Sequence, residues 1–595
     1  MKNTISKIWF LFDRNEKVQL VLIFIAILIG SFIEAIGIGA VVPFIGILVK
    51  PEYIYNNVYL NSIYNIFEFN STQEFIIFMG IVLMAVYILK NFYLFLLTVF
   101  QAYFTNSNYQ KLATNLFRLY LYSPYIFHLD KNTAQLLRNL GIIQSVINGI
   151  VMPILLLASD FTILTFVTVL LLINDPISTI IMLGCLGGAI GFFFLIIKTK
   201  LNKYGEIYKY HSGKLNQEVM QGLGSIKETL IRGNQGFFHN NYKKHFSQFI
   251  RSLRFQQIAT QSPRYYIETI VMILIVVLLG IYVKKGVEPQ KIVVTLSLFA
   301  VAAVRLIPSL NRISGSITKI RFYIPGLNEV YGDIVQCSEL SLLKTNVKPI
   351  EILKIQRQIE VSEVEYQYGI SAELAINKVT FNIPRNATVG FVGASGAGKT
   401  TIIDIVLGLL TPQKGEILVD GVDIQKNLFS WQKQIGYIPQ QIYLMDSSIR
   451  LNVAFGIPES EIDEEQVWHS LKLAQLDEVV HSLPNKLDTV IGEHGARLSG
   501  GQRQRIGIAR ALYHDPEVLV MDEATAALDN NTEREFMQAL HNLSGEKTIL
   551  IIAHRLTTVK DCDKIIFFKE GKIEDEGTYD ELIVKNSDFK NMAGK

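Results

Sequence analysis

The sequence predicts two fused folds: an all-α membrane domain of six transmembrane helices, followed by a soluble α/β domain with a phosphate-binding loop. Three observations lead to this prediction. Six long apolar runs lie before about residue 325, and no comparable run occurs after it. Only 18% of the 595 residues are charged, below the roughly 25% that is typical of soluble proteins. From about residue 350 the pattern changes to short apolar strands separated by glycine-rich turns.

The bulk composition excludes some classes of partner. The formal net charge is +3, which is too small to indicate binding to nucleic acid or another polyanion. The cysteines are Cys185, Cys337 and Cys562, which form neither a CxxC pair nor a spacing typical of a disulfide framework. This cysteine usage fits a protein that faces the cytosol.

The apolar runs define the membrane domain, residues 18–325. The first run, residues 18–49, is interrupted only by Gln19 and Glu34. Each run can supply the about 20 residues that are needed to cross a hydrocarbon core of about 30 Å. The first run is also too long for a signal-peptide core of about 7–15 residues, so we expect it to be a retained helix. The other runs begin near Phe75, Ile147, Ile177, Tyr265 and Ile292.

Three further segments complete the predicted organisation. Residues 1–17 read as an amphipathic helix at the membrane interface, with a frayed terminus as the alternative. The long polar connections favour helices that continue well beyond the spans. A linker is expected over 326–350, and the α/β domain over 351–595.

The distribution of Lys and Arg predicts the orientation. The connection 198–264 holds twelve of these residues and the connection 105–146 holds four, whereas the loop 51–73 holds none. Both termini and the α/β domain are therefore expected in the cytosol. The turn 282–291 disagrees, since it carries three lysines on the predicted outer side.

A phosphate-binding loop opens the chemistry of the second half. The segment ATVGFVGASGAGKTTIIDIVLGLL reads as strand, glycine loop and helix, and it contains the pattern G-x-x-x-x-G-K-[ST]. Backbone N–H groups of such a loop wrap phosphates at a helix N-terminus. Lys399 would reach the β- and γ-phosphates of ATP, and Thr400 would hold Mg²⁺. The predicted ATP-binding loop is Gly393, Ala394, Ser395, Gly396, Ala397, Gly398, Lys399, Thr400 and Thr401.

A second motif places two carboxylates after a buried strand. In EVLVMDEATAALD, four apolar residues predict a buried strand, and Asp522 stands at its carboxyl end. There its carboxylate can bind a water that is coordinated to Mg²⁺. Glu523 beside it is placed to polarise the attacking water. Two carboxylates at a strand end are ordinary by themselves, but after a phosphate loop they indicate ATP hydrolysis.

The segment RLSGGQRQRIGIARAL then resembles the signature of ATP-binding cassette (ABC) transporters. Several residues match other motifs of this family in its order, and the resemblance implies a role for each. Gln440 in YIPQQ would be the Q-loop glutamine, which contacts Mg²⁺, and Asp529 in AALD the D-loop aspartate. His554 in IIAHR would be the switch histidine, and Tyr368 the aromatic ring that stacks on adenine. The signature residues that would contact ATP are Ser499, Gly500, Gly501 and Gln502.

The resemblance implies an ABC exporter fold with ATP and Mg²⁺ as cofactors. Two cassettes would meet head to tail, with each ATP between one phosphate loop and the other signature. Short coupling helices are expected near 119–128 and 220–230. One membrane domain and one cassette per chain imply a half-transporter that must pair. Since Glu523, Ser499 and His554 all match the active pattern, a homodimer is favoured over a heterodimer.

Basic residues within the spans bear on the cargo. They are costly in hydrocarbon and so point to function or to ion pairs. In the first interpretation they line a cavity for an anionic head group. In the second they pair with Glu34, Asp160 and Glu268; Arg264 and Glu268 are four residues apart, and Glu34 or Asp160 could neutralise Lys90. The four basic candidates are Lys90, Arg264, Arg305 and Arg312.

Short patterns in the spans suggest the cargo. SFIEAIGIGAVVPFIGILV, SPRYYIETI and AAVRLIPSLNRI resemble bacterial flippases of polyprenyl-pyrophosphate-linked oligosaccharides. The loop 51–73 is long enough for the short external helix of those proteins. The resemblance implies an amphipathic, anionic lipid-linked cargo in the bacterial cytoplasmic membrane. Surface-polysaccharide and S-layer glycosylation exporters would share these features, and a multidrug, lipid or peptide exporter, or an ATP-gated channel or regulator, are the alternatives.

Overall fold

The computed structural model divides the chain into two compact units. The first contains residues 1–123 and 127–341, and the second contains residues 124–126 and 342–595. The structure describes residues 2–49, 51–69, 71–174, 176–286, 289–342, 353–369, 373–522, 543–553 and 555–594. The predicted fold class, an all-α part fused to an α/β part, is confirmed.

The first unit, here called the membrane unit, is built from helices. A five-residue π-helical turn, Ile147–Val151, joins the seventh helix to the eighth. The helices are α1 Lys2–Leu11, α2 Arg14–Val49, α3 Tyr53–Asn56, α4 Val58–Ile66, α5 Thr72–Tyr122, α6 Tyr125–Asp130, α7 Thr133–Val146, α8 Met152–Asn174, α9 Pro176–Gly224, α10 Ile226–Ile231, α11 Gln235–Lys284 and α12 Pro289–Leu342.

Within the described residues, five helices are long and apolar enough to cross a membrane. They account for the first five predicted spans. The sixth predicted span lies in α12, where part of the apolar run is outside the described side chains. Helices α5, α9 and α11, of 51, 49 and 50 residues, continue far past the apolar runs, as the long connections predict.

The short predicted helices are also present. The loop 51–73 contains α4. Asn57, just before this helix, caps it, because its side chain accepts hydrogen bonds from the backbone N–H groups of Tyr59 and Leu60. Helices α6 and α10 fall where the coupling helices are predicted.

Two boundaries differ from the prediction. Residues 1–17 are not one helix, because α1 ends at Leu11 and α2 begins at Arg14. The first of these helices is packed and not frayed, since Phe12 just after it is 2% exposed and Lys7 Nζ donates to Asn328 Oδ1 at 2.7 Å. At the other end, α12 continues to Leu342 and occupies much of the predicted linker 326–350. Its apolar residues at this end, such as Leu327, are buried, which keeps the helix intact.

Polar contacts lock helices together beyond the apolar spans. The buried Asp333 of α12 accepts from Tyr120 Oη at 2.7 Å, Asn139 Nδ2 at 2.6 Å and Lys131 Nζ at 3.0 Å. A carboxylate buried to 3% exposure is tolerated there because three donors satisfy it.

The described residues of the second unit form two sheets. One is antiparallel, in the order β2-β1-β4-β5, and the other has the order β10-β9-β3-β8-β7-β6. In the second sheet β9, β3, β8, β7 and β6 are parallel, and β10 is antiparallel to β9. The strands are β1 Gln358–Tyr366, β2 Ile376–Pro384, β3 Thr388–Gly393, β4 Lys414–Val419, β5 Val422–Asp423, β6 Ile435–Ile438, β7 Val518–Asp522, β8 Thr548–Ile552, β9 Lys564–Lys569 and β10 Lys572–Gly577.

The strand β3 is an interior strand of the parallel sheet, between β9 and β8, and all six of its residues are buried. In a parallel sheet, ligands bind beyond the carboxyl ends of the strands, where the loops after the strands meet. The phosphate loop comes directly after β3 at that edge. The α-helices of this unit are α13 Lys399–Val406, α14 Leu428–Lys433, α15 Ile449–Val453, α16 Glu464–Leu473, α17 Asp477–Ser482, α18 Gly500–Leu512, α19 Tyr579–Lys585 and α20 Ser587–Met592.

Candidate functional site: a nucleotide pocket

The loop between β3 and α13 has a backbone that requires glycine. Gly393 and Gly398 have φ of 155° and 101°, in the region that side chains disfavour. A Cβ on Gly393 would lie 2.3 Å from the Phe568 carbonyl oxygen, and one on Gly398 would lie 2.8 Å from that of Ala375. The two glycines of the motif are therefore fixed by the close approach of neighbouring backbone.

The side chain of Lys399 is held over this loop. Its ammonium donates to the carbonyl oxygens of Gly393 at 2.8 Å and Ala394 at 3.0 Å, and the residue is 5% exposed. Lys399 is also the first residue of α13, so the positive end of the helix dipole and a cation lie at the same point. This arrangement suits a phosphate group.

A cavity of about 520 Å³ opens at the loop. It is lined by Tyr368, by most residues of the predicted ATP-binding loop and by the predicted Q-loop glutamine. Ala375, which belongs to none of the sequence motifs, lies among them. The lining residues are Tyr368, Ala375, Ser395, Gly396, Gly398, Lys399, Thr400, Thr401 and Gln440.

Tyr368 forms one wall of this cavity. Its hydroxyl lies 3.2 Å from Thr401 Oγ1, and its ring meets that of Tyr366 edge-on at 5.0 Å. About a third of the residue is exposed. The ring is thus held at the pocket while one part of it stays accessible for stacking on a flat base.

Asp522 ends β7, two strands away from β3 in the same sheet. A neighbouring carboxyl that the sequence motifs did not identify is Asp404 of α13. Burial and the charge of Asp522 raise the pKa of Asp404 to about 6. Its position four residues after Thr400 places both on one face of α13, a spacing that could have identified it.

The oxygen-rich set at this edge fits Mg²⁺. This hard cation prefers carboxylate, hydroxyl and amide oxygens and keeps several waters. The hydroxyl of Thr400 and the amide of Gln440 line one cavity, and Asp522 stands close enough to Asp404 to raise its pKa. No cluster of three or more His, Cys, Asp or Glu side chains suited to a metal occurs in the described part of the chain.

We expect Asp404→Asn to stabilise the protein near neutral pH in the presence of EDTA. A carboxyl whose pKa is raised on folding favours the folded state fully only below its unfolded pKa, and this contribution is lost as the pH rises through about 6. The variant should therefore gain about 1–3 kcal/mol at pH 7.5 and almost nothing near pH 3.5, below the unfolded pKa. Thermal unfolding of both proteins at the two pH values checks this. An equal difference at both would contradict it.

The signature segment lies at the start of α18. Ser499 caps this helix through a reciprocal pair of bonds: Ser499 Oγ accepts from the Gln502 N–H at 3.2 Å, and Gln502 Oε1 accepts from the Ser499 N–H at 2.9 Å. The N–H groups of Gly500 and Gly501 lie in the first turn, where no intrahelical acceptor is available. Ser499 is exposed, and none of residues 499–502 lines the cavity at the phosphate loop.

Three predicted residues, Glu523, Asp529 and His554, lie outside the described residues. The structure does describe the strand before Glu523 and the strand that precedes His554. β7 ends at Asp522 and β8 at Ile552, and these two residues are paired in register.

The basic candidates of the membrane unit have different surroundings. Arg264 pairs with Glu268 at 2.7 Å on one helix, as its spacing predicts. Arg312 forms a forked ion pair with Asp160, so its charge is already neutralised within the protein. Lys90 is buried, and its ammonium lies 4.2 Å from the ring centre of Tyr87. The side chain of Arg305 is outside the described part.

Comparisons with known proteins agree with this geometry. The ABC transporter family model matches residues 376–526. The ATP-dependent lipid A-core flippase of Francisella tularensis is 30% identical over 482 residues, 80% of this chain and 77% of that protein. The flippase of the same description from Cupriavidus metallidurans is 28% identical over 490 residues, 81% of each chain.

Two other similarities bear on one part of the chain or on the fold. The heterocyst differentiation protein HepA of Nostoc sp. is 37% identical over 292 residues, and the chain spans only 47% of its length. A bacterial Atm1-family ABC exporter solved with ATP bound superposes with a TM-score of 0.75 at 20% identity, over 98% of both chains. The bacterial Atm1-family exporter thus shares the fold of this chain. With the nucleotide pocket, the helical membrane unit and the relatives taken together, the chain belongs to the ABC exporters, as a half-transporter of the lipid A-core flippase type that couples ATP hydrolysis to transport.

Proposed function

We propose that this exporter flips an amphipathic, anionic lipid-linked oligosaccharide, carried on a polyprenyl pyrophosphate, across the bacterial cytoplasmic membrane. The observation that carries the proposal is the buried ammonium of Lys90 in the membrane unit. The relatives that are described as lipid A-core flippases support a lipid cargo. They also make a lipid of the lipid A-core kind the second candidate.

Lys90 lies in the apolar part of α5 and is 6% exposed. Its side chain packs against α2, where a Cβ on Gly37 would lie 3.1 Å from Lys90 Cδ. Among the described residues no carboxylate pairs with it; Asp160, one of the two candidates for that role, binds Arg312 instead. An ammonium in this setting is costly unless something neutralises it. An anionic head group that enters the membrane unit would do so.

The cassette would be complete only in a homodimer. Each chain has a phosphate loop with a cavity beside it, and the signature residues 499–502 of the same chain do not line this cavity. The exposed Ser499 and the first-turn N–H groups of α18 form a second donor set for phosphate oxygens. A second copy of the chain, placed head to tail, would bring this set to the γ-phosphate.

The residues of each half-site then have distinct tasks. The loop N–H groups and Lys399 bind and orient the phosphates, and Tyr368 stacks on the base. Glu523 accepts a proton from the attacking water, and His554 contacts the γ-phosphate, with Asp529 in the loop between the two cassettes. Thr400, Gln440 and Asp522 would hold Mg²⁺, which neutralises charge on the phosphates when it is bound. Both termini and the cassettes would lie in the cytosol.

A transport assay tests the cargo. Proteoliposomes should be offered a polyprenyl pyrophosphate with a short glycan, a lipid A-core lipid, a phospholipid and a cationic dye. We expect ATP-dependent flipping of the polyprenyl pyrophosphate that carries the glycan. Lys90→Gln should reduce it by about tenfold or more, since one charge-assisted hydrogen bond is lost, and Lys90→Arg should retain it.

The matched control is Lys203→Gln, which removes an exposed lysine from α9 and should transport normally. Flipping of the dye alone would refute the anionic cargo. Preference for the lipid A-core lipid would replace the proposed cargo by the second candidate.

A further inference from the structure

A polar cavity lies in the membrane unit at the break between α7 and α8. Here the helix passes through the π-helical turn Ile147–Val151. Such turns insert one extra residue into a helix and occur frequently at functional sites. The cavity has a volume of about 280 Å³ and also borders α11 and α12. It is remote in sequence from every residue of the nucleotide pocket.

The cavity is shaped by a close contact between Gly149 and Tyr323. A Cβ on Gly149 would lie 2.1 Å from Tyr323 Cδ2, so the tyrosine ring rests directly on the backbone of the π-helical turn. On its other side this ring meets that of Tyr208 edge-on at 5.8 Å. The position of the Tyr323 hydroxyl at the cavity is therefore set by packing.

The side chains that line the cavity are neutral hydrogen-bonding groups and one lysine. Within the described residues, a hydrogen bond to another side chain is seen only for Gln256, whose Nε2 donates to Thr260 Oγ1 at 2.9 Å. The remaining lining groups keep their donors and acceptors available. Among the residues that the structure describes, no carboxylate lines the cavity. The polar side chains are Gln144, Ser145, Asn148, Gln256, Lys319 and Tyr323.

This set has the chemistry of a sugar site. Carboxamides and hydroxyls both donate and accept, as the hydroxyl groups of a sugar do. The exposed Lys319 adds one positive charge, and the absence of carboxylates among the lining side chains disfavours a cation. The cavity volume of about 280 Å³ lies just below the about 300–1,000 Å³ of typical ligand pockets. It suits one sugar unit and not a whole oligosaccharide.

We propose that this cavity binds one sugar unit of the lipid-linked cargo, with Lys319 among its hydrogen-bond donors. This inference rests on the proposed function and assigns the glycan part of the cargo to residues of α7, the π-helical turn, α11 and α12. Lys90, by contrast, is assigned to the anionic head group. Changes in the cavity should therefore affect recognition of the sugar, whereas changes at Lys90 should affect recognition of the pyrophosphate.

The test compares two probes: a polyprenyl pyrophosphate that carries a short glycan and the same lipid without sugar. Stimulation of ATPase activity is measured for the reconstituted full chain over a range of each lipid concentration. Asn148→Ala, on the π-helical turn, and Gln256→Ala, on α11, should each raise the half-saturating concentration of the glycosylated lipid by about tenfold. The value for the bare lipid should change less than about twofold.

Asn202→Ala is the matched control, because Asn202 is an exposed asparagine on α9 outside the cavity. Thermal unfolding identifies a variant that fails to fold, and the two variants on separate helices keep the test decisive. Unchanged response of both variants to the glycosylated lipid would overturn the sugar site and leave the proposed function intact. Equal loss for both lipids would overturn the assignment to sugar. If the wild type responds to neither pyrophosphate lipid, the proposed function fails, and this inference fails with it.

Discussion

Glu523→Gln should reduce ATP hydrolysis by about 10²–10⁴-fold and leave ATP binding in place. Glutamine has the size of glutamate but cannot accept a proton from the attacking water. Glu523 comes directly after Asp522, the last residue of β7. The phosphate loop comes after β3 in the same parallel sheet, so Asp522 and the start of that loop both lie at its carboxyl edge. The loop, Lys399 and Tyr368 are unchanged in this variant.

Phosphate release and equilibrium binding of a fluorescent ATP analogue measure the two effects separately. Lys399→Ala is the contrasting variant, because it removes the ammonium that lies over the loop. It should lose binding and hydrolysis together. If Glu523→Gln hydrolysed ATP at the wild-type rate, the general base would have to be a different residue.

The nucleotide pocket could be predicted because its residues lie in short contiguous motifs. The strand, the glycine loop and the helix that succeed one another from Thr388 to Val406 specify their own geometry. Asp404 was missed for the opposite reason. Its raised pKa results from burial and from the charge of Asp522, which is 118 residues away in the sequence. No local pattern reveals this distant partner, although the spacing of four residues from Thr400 does place Asp404 on the face of α13 that carries the phosphate-loop threonine.

In the membrane unit, the lengths of the helices were predictable but their pairings were not. An apolar run of sufficient length indicates a span, whereas the rotation of that span is set by packing against its neighbours. The sequence left open whether Asp160 neutralises Lys90 or another group. In the structure Asp160 of α8 binds Arg312 of α12, while the same-helix pair Arg264–Glu268 was predictable directly from a spacing of four residues.

Arg312→Ala should destabilise the membrane unit by about 3 kcal/mol, because it leaves a buried carboxylate without its partner. Arg312 Nε donates to both Asp160 oxygens, at 2.9 and 3.1 Å, and Nη2 donates to Oδ1 at 2.5 Å and to Ser309 Oγ at 3.2 Å. Asp160 is 1% exposed. Thermal unfolding of the reconstituted protein should show a clear loss of stability.

The double variant Asp160→Asn with Arg312→Gln should recover most of that loss, because two neutral amides replace the two charges and neither carboxylate nor guanidinium is left unpaired. Arg264→Ala is the matched control. Both members of its pair are largely exposed and lie on one helix, so its removal should barely change the melting temperature. Transport separates the two interpretations of Arg312. If Arg312→Ala melts like the wild type but no longer flips the pyrophosphate lipid, the arginine acts on the cargo. If the double variant restores both stability and transport, the side chain of Arg312 serves the fold, and Lys90 is left as the cation that selects an anionic head group.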